Sequence, residues 1–185
     1  TIHIMSRTTS PTMTAIEELQ QQYYKINNKN TVFKKKQKYE CADLVTNQIG
    51  IDIILPKCIY LFDTNKVYID YLIFKTFANP NNYHDISVCL ANNINDCIKK
   101  NKTFEIHINL DTLTVSAVER YRQIITGFAE HGQMNGYEQY LSNLVLYNAP
   151  SFISTTTSII SSFISPKVTE LVTIHKKNIE LPTEQ

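Results

Sequence analysis

The sequence predicts an α/β fold in which helices cover a mostly parallel β-sheet. From residue 104 onward, segments with the spacing of strands alternate with segments with the spacing of helices. Parallel strands need crossover connections, which are usually helices. With 43% hydrophobic and 19% charged residues, the 185-residue chain can build one core. We therefore predict a single domain over residues 14–175, a flexible polar arm over 1–13 and a polar tail over 176–185.

The first predicted element is a helix over residues 14–27. Thr14-Ala-Ile-Glu17 fits a capping box, and apolar residues recur at helical spacing from Ile16 to Ile26. Short β-rich segments follow at Ile49–Leu55 and Ile59–Phe62, with a longer one at Val67–Phe77. We expect all three segments to be strands at one edge of the sheet.

The next three elements alternate between helix and strand. Asn79-Pro-Asn-Asn82 breaks regular structure, and the helix beyond it should end near Lys99-Lys100. Apolar and polar residues alternate from Phe104 to Leu110, which predicts a strand with one apolar face. Ser116-Ala-Val-Glu119 fits a second capping box, so a helix should run from there to about His131.

The last elements follow a connector around Gly136. Leu144–Tyr147 is a short apolar segment that predicts a strand, and the segment from Phe152 to Ile164 has an apolar helical stripe. We expect Pro166 to end that helix and Val168–Ile174 to form a further strand. The helix over 152–164 allows two interpretations, ordinary core packing or the cover of a cavity for a hydrophobic ligand.

A run of lysines stands out in a chain whose net charge is only +1. Two interpretations stay open, a solvated loop or helix end, or attraction to an anionic lipid surface or phosphate. The four lysines that would make such a contact are Lys34, Lys35, Lys36 and Lys38.

The sequence argues against several classes of function. Near neutrality disfavours a general nucleic-acid binder, and neither nucleotide-binding glycine motif occurs among the four glycines. Ser151, His175 and Asp111 could be arranged as a hydrolytic triad, but no nucleophile elbow supports it. His107, Asn109 and Asp111 share a strand face without a second ligand cluster, so we predict no metal, no cofactor and no enzymatic activity.

The four cysteines form no C-x-x-C pair, which favours reduced, half-buried thiols. No apolar run is long enough to cross a bilayer. We therefore expect an intracellular protein, either cytoplasmic or peripheral to a membrane.

Four motifs follow one another along the second half of the chain: the strand Phe104–Asp111, the helix through Arg120 and Tyr121, Leu144-Val-Leu-Tyr-Asn-Ala-Pro150, and Ser162-Phe-Ile-Ser-Pro166. This order of motifs resembles the CRAL-TRIO lipid-binding family. The most specific part of the resemblance is Leu-Tyr-Asn-Ala-Pro followed by Phe152. The resemblance implies a compact variant in which the amino-terminal helical module is reduced to one helix.

The resemblance also implies a non-enzymatic module that holds a lipid or other hydrophobic ligand between the sheet and the helix 152–164. The expected hydrophobic wall consists of Leu110, Tyr147, Phe152, Ile153, Ile160, Phe163 and Ile164. Inositol-lipid-binding members hold the headgroup with an acidic residue and a lysine. The matching positions here are Gln139 and Leu171, neither of which carries a charge.

The alternative function is a scaffold or structural interaction protein with a filled cavity. Under that hypothesis the arm 1–13 and the tail 176–185 bind protein neighbours in a large assembly, such as a viral particle. Fold similarity alone does not separate the two hypotheses.

Overall fold

The computed structural model describes residues 10–29, 32–155 and 163–176. In the amino-terminal part, α1 (Pro11–Asn27), α2 (Lys34–Ile49) and α3 (Ile51–Cys58) precede the first strand. The resemblance implied one helix before the sheet, so the helical part is larger than expected. Helix α1 begins at Pro11 because the Ser10 hydroxyl accepts a hydrogen bond from the Met13 amide at 3.3 Å. Residues 11–13, which the sequence assigned to the arm, therefore belong to this helix.

The prediction of a strand at Ile49–Leu55 is wrong. This segment lies mostly within α3, where Ile54, Leu55 and Cys58 are buried on one side of the helix. The isoleucines favour a strand by propensity, but their helical spacing allows the segment to bury one face against the main core.

Two strands follow, β1 (Ile59–Asp63) and β2 (Lys66–Asp70). The prediction of one strand over Val67–Phe77 is wrong beyond Asp70, where α4 (Tyr71–Phe77) begins. The Asp70 carboxylate accepts a hydrogen bond from the Leu72 amide at 2.8 Å and so caps this helix.

The central part matches the sequence prediction closely. It contains α5 (Tyr83–Asn101), β3 (Phe104–Asn109) and α6 (Val115–Met134). The side chain that caps α6 is Thr114, which accepts a hydrogen bond from the Ala117 amide at 3.3 Å, and not Ser116. A 3₁₀ turn at Tyr137–Gln139 leads into β4 (Leu141–Tyr147).

The last described elements are α7 (Ser151–Thr155), α8 (Pro166–Glu170) and β5 (Val172–Ile174). The part of the predicted helix 152–164 that falls on residues 156–162 lies outside the described residues. Pro166 opens α8 instead of ending a helix, because the Ser165 hydroxyl accepts a hydrogen bond from the Val168 amide at 3.3 Å. The predicted strand Val168–Ile174 is therefore helical in its first half.

The strands form one sheet in the order β1-β2-β3-β4-β5. β1 is antiparallel to β2, and the three remaining neighbouring pairs are parallel. This arrangement confirms the predicted α/β class with a mostly parallel sheet. Ile106 is aligned with Val67 of β2 and Leu144 of β4, so side chains from three strands share one face.

The main core joins this face to the surrounding helices. It contains Ile94 and Phe104 together with Ile16, Val45 and Ile54 from the amino-terminal helices. The Tyr39 hydroxyl of α2 also donates a hydrogen bond to the Arg120 carbonyl of α6 at 2.6 Å. The amino-terminal helices are therefore part of the same packed unit as the sheet.

The carboxyl end of α5 offers a test of the backbone geometry. Lys102 follows α5 with a φ of 66°, in the left-handed region that favours glycine. We expect Lys102→Gly to raise the free energy of unfolding by about 0.5–1 kcal/mol. Lys100→Gly removes the same charge inside the helix and should lower it by about 1 kcal/mol. Urea unfolding of both variants measures the difference, and equal effects would contradict the assigned helix end.

Candidate ligand cavity

A cavity of about 360 Å³ lies between the sheet and the helices α5 and α6. Alternation along the strands places every second side chain toward it. Its floor comes from four strands and the residues that follow them: Ile59, Ile69, Phe104, Ile106, Ile108, Leu110, Leu141 and Leu144. The floor is therefore a continuous apolar surface.

The roof of the cavity is made by two helices whose apolar residues recur at intervals of three or four residues. In α5, the lining residues Ile86, Leu90 and Ile94 are four residues apart and buried. In α6, one stripe of side chains faces the cavity: Ala117, Val118, Tyr121, Ile124, Ile125, Phe128 and Ala129. This spacing is the reason that both helices present an apolar face to the sheet.

One wall is formed by α8 and the residues that immediately precede it. Phe163, Ile164 and Val168 all line the cavity. The Arg122 guanidinium lies 5.2 Å from the centre of the Phe163 ring, a distance typical of a cation–π contact. This contact connects the wall to α6.

The polar groups of the lining are few. The hydroxyl of Tyr121 donates to the Lys75 carbonyl at 3.4 Å, and that of Tyr137 donates to Asn95 Oδ1 at 3.2 Å. Since these hydroxyls are bonded to protein atoms, they add little polarity to the cavity. Glu138 is the only charged residue among the described lining, and Gln133 lies on the lining as well.

Sequence reasoning missed Glu138 as a lining residue. It is the neighbour of Gln139, the position that the resemblance matched to an acidic headgroup residue. A one-residue shift of the alignment would have found it, but only the structure shows that its position borders the cavity.

The structure brings together part of the expected hydrophobic wall. Leu110, Phe163 and Ile164 line the cavity. Ile153 is buried and Phe152 partly buried in a neighbouring apolar cluster with Leu146 and Val168. Ile160 lies outside the described residues.

Tyr147 is the exception, because it lies on the other face of the sheet. Its register partner is Asn109, whereas Leu146, which packs in the apolar cluster, is aligned with Ile108. Since neighbouring residues of a strand point to opposite faces, Tyr147 points away from the cavity. It stacks on His175 with 5.4 Å between the ring centres.

The same opposite face carries His107, a residue type that often binds metal ions. His107 Nδ1 is 2.9 Å from the Tyr147 hydroxyl, and its Nε2 is 2.9 Å from Glu105 Oε2. Both ring nitrogens are thus engaged by protein side chains. Burial lowers the pKa of His107 although Glu105 opposes the shift, so the imidazole is neutral near pH 7.

A buried polar network closes the carboxyl ends of the central strands. Asn109 is fully buried, and its amide donates to Asp70 Oδ1 at 3.3 Å. Its carbonyl oxygen accepts from the Asp111 amide at 3.1 Å and from Asn148 Nδ2 at 3.0 Å. The amide nitrogen and the carbonyl oxygen of Asn109 thus both have hydrogen-bond partners within the protein. The polar residues at this edge are therefore explained by their structural role.

Within the described part of the chain, no three His, Cys, Asp or Glu side chains are grouped so that they could hold a metal ion. The four cysteines are free thiols, three of them buried. Burial raises the pKa of the Cys58 and Cys97 thiols, which makes them poor nucleophiles.

The lysine run lies at the start of α2. Lys34, Lys35, Lys36 and Lys38 are all exposed. The first turn of α2 contains no acidic residue. Cations are unfavourable at the amino end of a helix, so the stability of α2 does not account for these lysines.

The cavity, the sheet order and the motifs agree with one family. The family model described as the CRAL/TRIO domain matches residues 86–184, which is more than half of the 185 residues. The chain belongs to the CRAL/TRIO family. No match was found among the curated proteins.

Membership has a general functional consequence. CRAL/TRIO domains are, in general, non-enzymatic modules that bind lipids and other hydrophobic small molecules. The match begins within α5 and therefore covers β3, α6 and β4, which supply much of the cavity lining.

No helix that the structure describes is both long enough and apolar enough to span a bilayer.

The buried network of Asn109 provides a test of the sheet edge in this CRAL/TRIO domain. Asn109→Ala leaves the Asp111 amide and the Asn148 side chain without their partner, so we expect a loss of about 2–3 kcal/mol in unfolding free energy. Asn143→Ala, on the same sheet, loses one partly exposed bond to Thr173 and should cost less than about 1 kcal/mol. Urea titrations measure both values. If both variants lost the same unfolding free energy, the hydrogen-bond network of Asn109 would not stabilise this edge of the sheet.

The buried imidazole gives this domain a defined pH dependence. The pKa of His107 is lowered by burial relative to about 6.5 in the unfolded chain. The unfolded state therefore binds more protons in acid than the folded state does. The stabilisation that comes from the neutral, buried His107 is complete above about pH 6.5, and it is lost as the pH falls through the lowered pKa. We expect the urea midpoint to fall between neutral pH and about pH 5.

The matched variants for this effect are His107→Gln and His84→Gln. The first should lose part of the pH dependence, whereas the second, at an exposed position, should keep it. An unchanged pH profile in His107→Gln would assign the acid sensitivity to other groups.

Proposed function

We propose that this CRAL/TRIO domain holds a lipid or a similar hydrophobic molecule in the cavity between the sheet and α6. The observation that carries the proposal is the lined space of about 360 Å³, whose walls are almost entirely apolar. Ligand sites in proteins are typically roughly 300–1,000 Å³ with mostly apolar walls and a few polar groups. The cavity meets this description.

The size of the cavity favours one acyl chain over a lipid with two. Its volume lies near the lower end of the usual range for ligand sites. Each buried methylene group contributes about 0.8 kcal/mol, so a chain of moderate length can bind without charged contacts. Shape and apolar area would then decide the affinity.

The polar groups at one end of the lining support one orientation of the ligand. Gln133 and Glu138 border the cavity where α6 ends and the 3₁₀ turn begins. An amide and a carboxylate can accept hydrogen bonds from a hydroxyl group of a ligand. We infer that the polar end of the ligand lies there and its chain extends toward Leu113 and Phe74.

The alternative of a scaffold with a filled interior makes a different prediction about the same space. If core side chains occupied it, the floor and roof would be in direct contact and no ligand would fit. Open volume between Ile106 and the α6 stripe favours a ligand instead.

Native mass spectrometry of the purified protein, followed by organic extraction, tests the proposal. We expect a species heavier than the chain and a hydrophobic small molecule in the extract. A protein that carries no ligand, and gains no thermal stability from added fatty acid, would contradict the proposal.

A substitution in the roof should separate ligand binding from folding. Ala129 lines the cavity on α6, and Ala129→Phe adds a ring where the ligand chain would lie. Excluding three or four methylene groups should weaken binding about a hundredfold.

Thr126→Phe is the matched control, because Thr126 lies on the same helix and borders a groove outside the cavity. It should bind ligand as the unmodified protein does. Circular dichroism should show the same helix content for both variants. If Ala129→Phe retained normal lipid content, the ligand would have to lie elsewhere.

A further inference from the structure

The connection between α1 and α2 combines positive charge with exposed apolar side chains. Six of the 18 Lys and Arg residues of the chain fall within residues 25–38, and no Asp or Glu occurs there. The chain as a whole has a net charge of only +1. The remaining residues hold 12 Lys and Arg and 17 Asp and Glu, a net charge of −5. A strongly positive segment therefore stands in a chain whose remainder is acidic.

Apolar side chains lie among these lysines. Ile26 is 80% exposed, Val32 79% and Phe33 63%. Gln37 Nε2 donates to the Asn28 carbonyl at 2.6 Å, so the first turn of α2 is tied to the end of α1. We call this surface the α1–α2 patch, which consists of Ile26, Val32, Phe33, Lys34, Lys35 and Lys36.

Acidic neighbours neutralise the patch only in part. Lys36 Nζ lies 3.8 Å from Glu40, in an ion pair that is open to solvent. Glu119, which lies across the groove from Lys35, is held by Arg122 at 3.1 Å. Asp43 lines a groove with Lys35 and Lys36 and accepts a hydrogen bond from Asn81. Exposed ion pairs contribute little. The six lysines of residues 25–38 outnumber these acidic neighbours, so the surface keeps an excess of positive charge.

We propose that the α1–α2 patch docks on the surface of an anionic lipid bilayer. Each lysine near such a surface is attracted to the acidic headgroups, and apolar side chains are stabilised when they enter the interface and leave water. The combination in one short segment meets both requirements. The proposal is independent of whether the cavity is filled.

The composition of the patch favours a bilayer over a nucleic acid. Nucleic-acid surfaces typically use arginine for bidentate phosphate contacts and aromatic rings for base stacking. The patch has lysines only, and two of its three apolar residues are aliphatic. Aliphatic side chains gain from an acyl environment and have no face on which a base can stack.

The patch is also continuous with the wall of the cavity. Lys35 and Tyr39 line one groove together with Glu119, Arg120 and Arg122 of α6. Arg122 in turn lies over the ring of Phe163, which lines the cavity. Docking through the patch would therefore bring this wall close to the bilayer.

The chain contains no tryptophan, which allows a direct test with a single reporter. In Phe33→Trp, the only indole lies in the patch, and we expect its emission to shift to shorter wavelength when vesicles with about one third phosphatidylserine are added. Brominated lipids should quench it. Phosphatidylcholine vesicles alone should have a much smaller effect.

Met134→Trp is the control reporter, since Met134 is 86% exposed at the far end of α6. It lies twelve residues from Arg122, about 18 Å along the helix. Its emission should not change. Equal quenching of both reporters, or of neither, would overturn the proposal.

Sedimentation with the same vesicles tests the lysines. Simultaneous replacement of Lys34, Lys35 and Lys36 by Ala should weaken binding roughly a hundredfold, about fivefold for each lysine. The control variant carries Lys99→Ala together with Lys100→Ala, at the carboxyl end of α5. These two substitutions should change vesicle binding little. Added salt should weaken binding of the unmodified protein.

Three further results would overturn the proposal. They are equal binding to neutral vesicles, unchanged binding of the triple lysine variant, and binding to DNA or an acidic peptide without binding to vesicles. Ala129→Phe should sediment with vesicles normally, so a failure of membrane docking can be distinguished from a failure of ligand binding in the cavity.

Discussion

The alternation of side chains along β3 sets which residues face the cavity and which face the opposite side of the sheet. This strand lies between β2 and β4, so both of its edges are bonded and its register is fixed. Ile106 and Ile108 face the helices, whereas His107 faces the opposite side. A shift by one residue would place the imidazole in the cavity and the isoleucines outside it.

The two faces of the sheet consequently have different chemistry. The cavity face is lined by aliphatic and aromatic side chains beneath α6, and the hydroxyls of Tyr121 and Tyr137 are bonded to protein atoms. The opposite face carries His107 between Phe62 and Tyr147, with Glu105 bonded to the imidazole. CRAL/TRIO domains in general bind lipids or other hydrophobic small molecules.

The amino-terminal helices show where local sequence patterns mislead. The segment at Ile51–Cys58 is rich in residues that favour strands, yet it forms a helix because the buried side of that helix completes the main core. At Asp70 the strand ends because its carboxylate caps the following helix, a role that residue type alone does not reveal. Both cases were decided by contacts with residues distant in the chain.

Local periodicity and the turns between the elements were sufficient to predict the alternation of helices and strands from Tyr83 to Tyr147. The sequence also predicted Leu110, Phe163 and Ile164 as part of a ligand-binding wall, and the structure places these three residues on the cavity lining. The direction of the Tyr147 side chain and the position of Glu138 beside the cavity became evident only from the fold. The direction of a side chain depends on the register of its strand and on helices that pack against it from distant parts of the chain. Neither is encoded in a short segment of sequence.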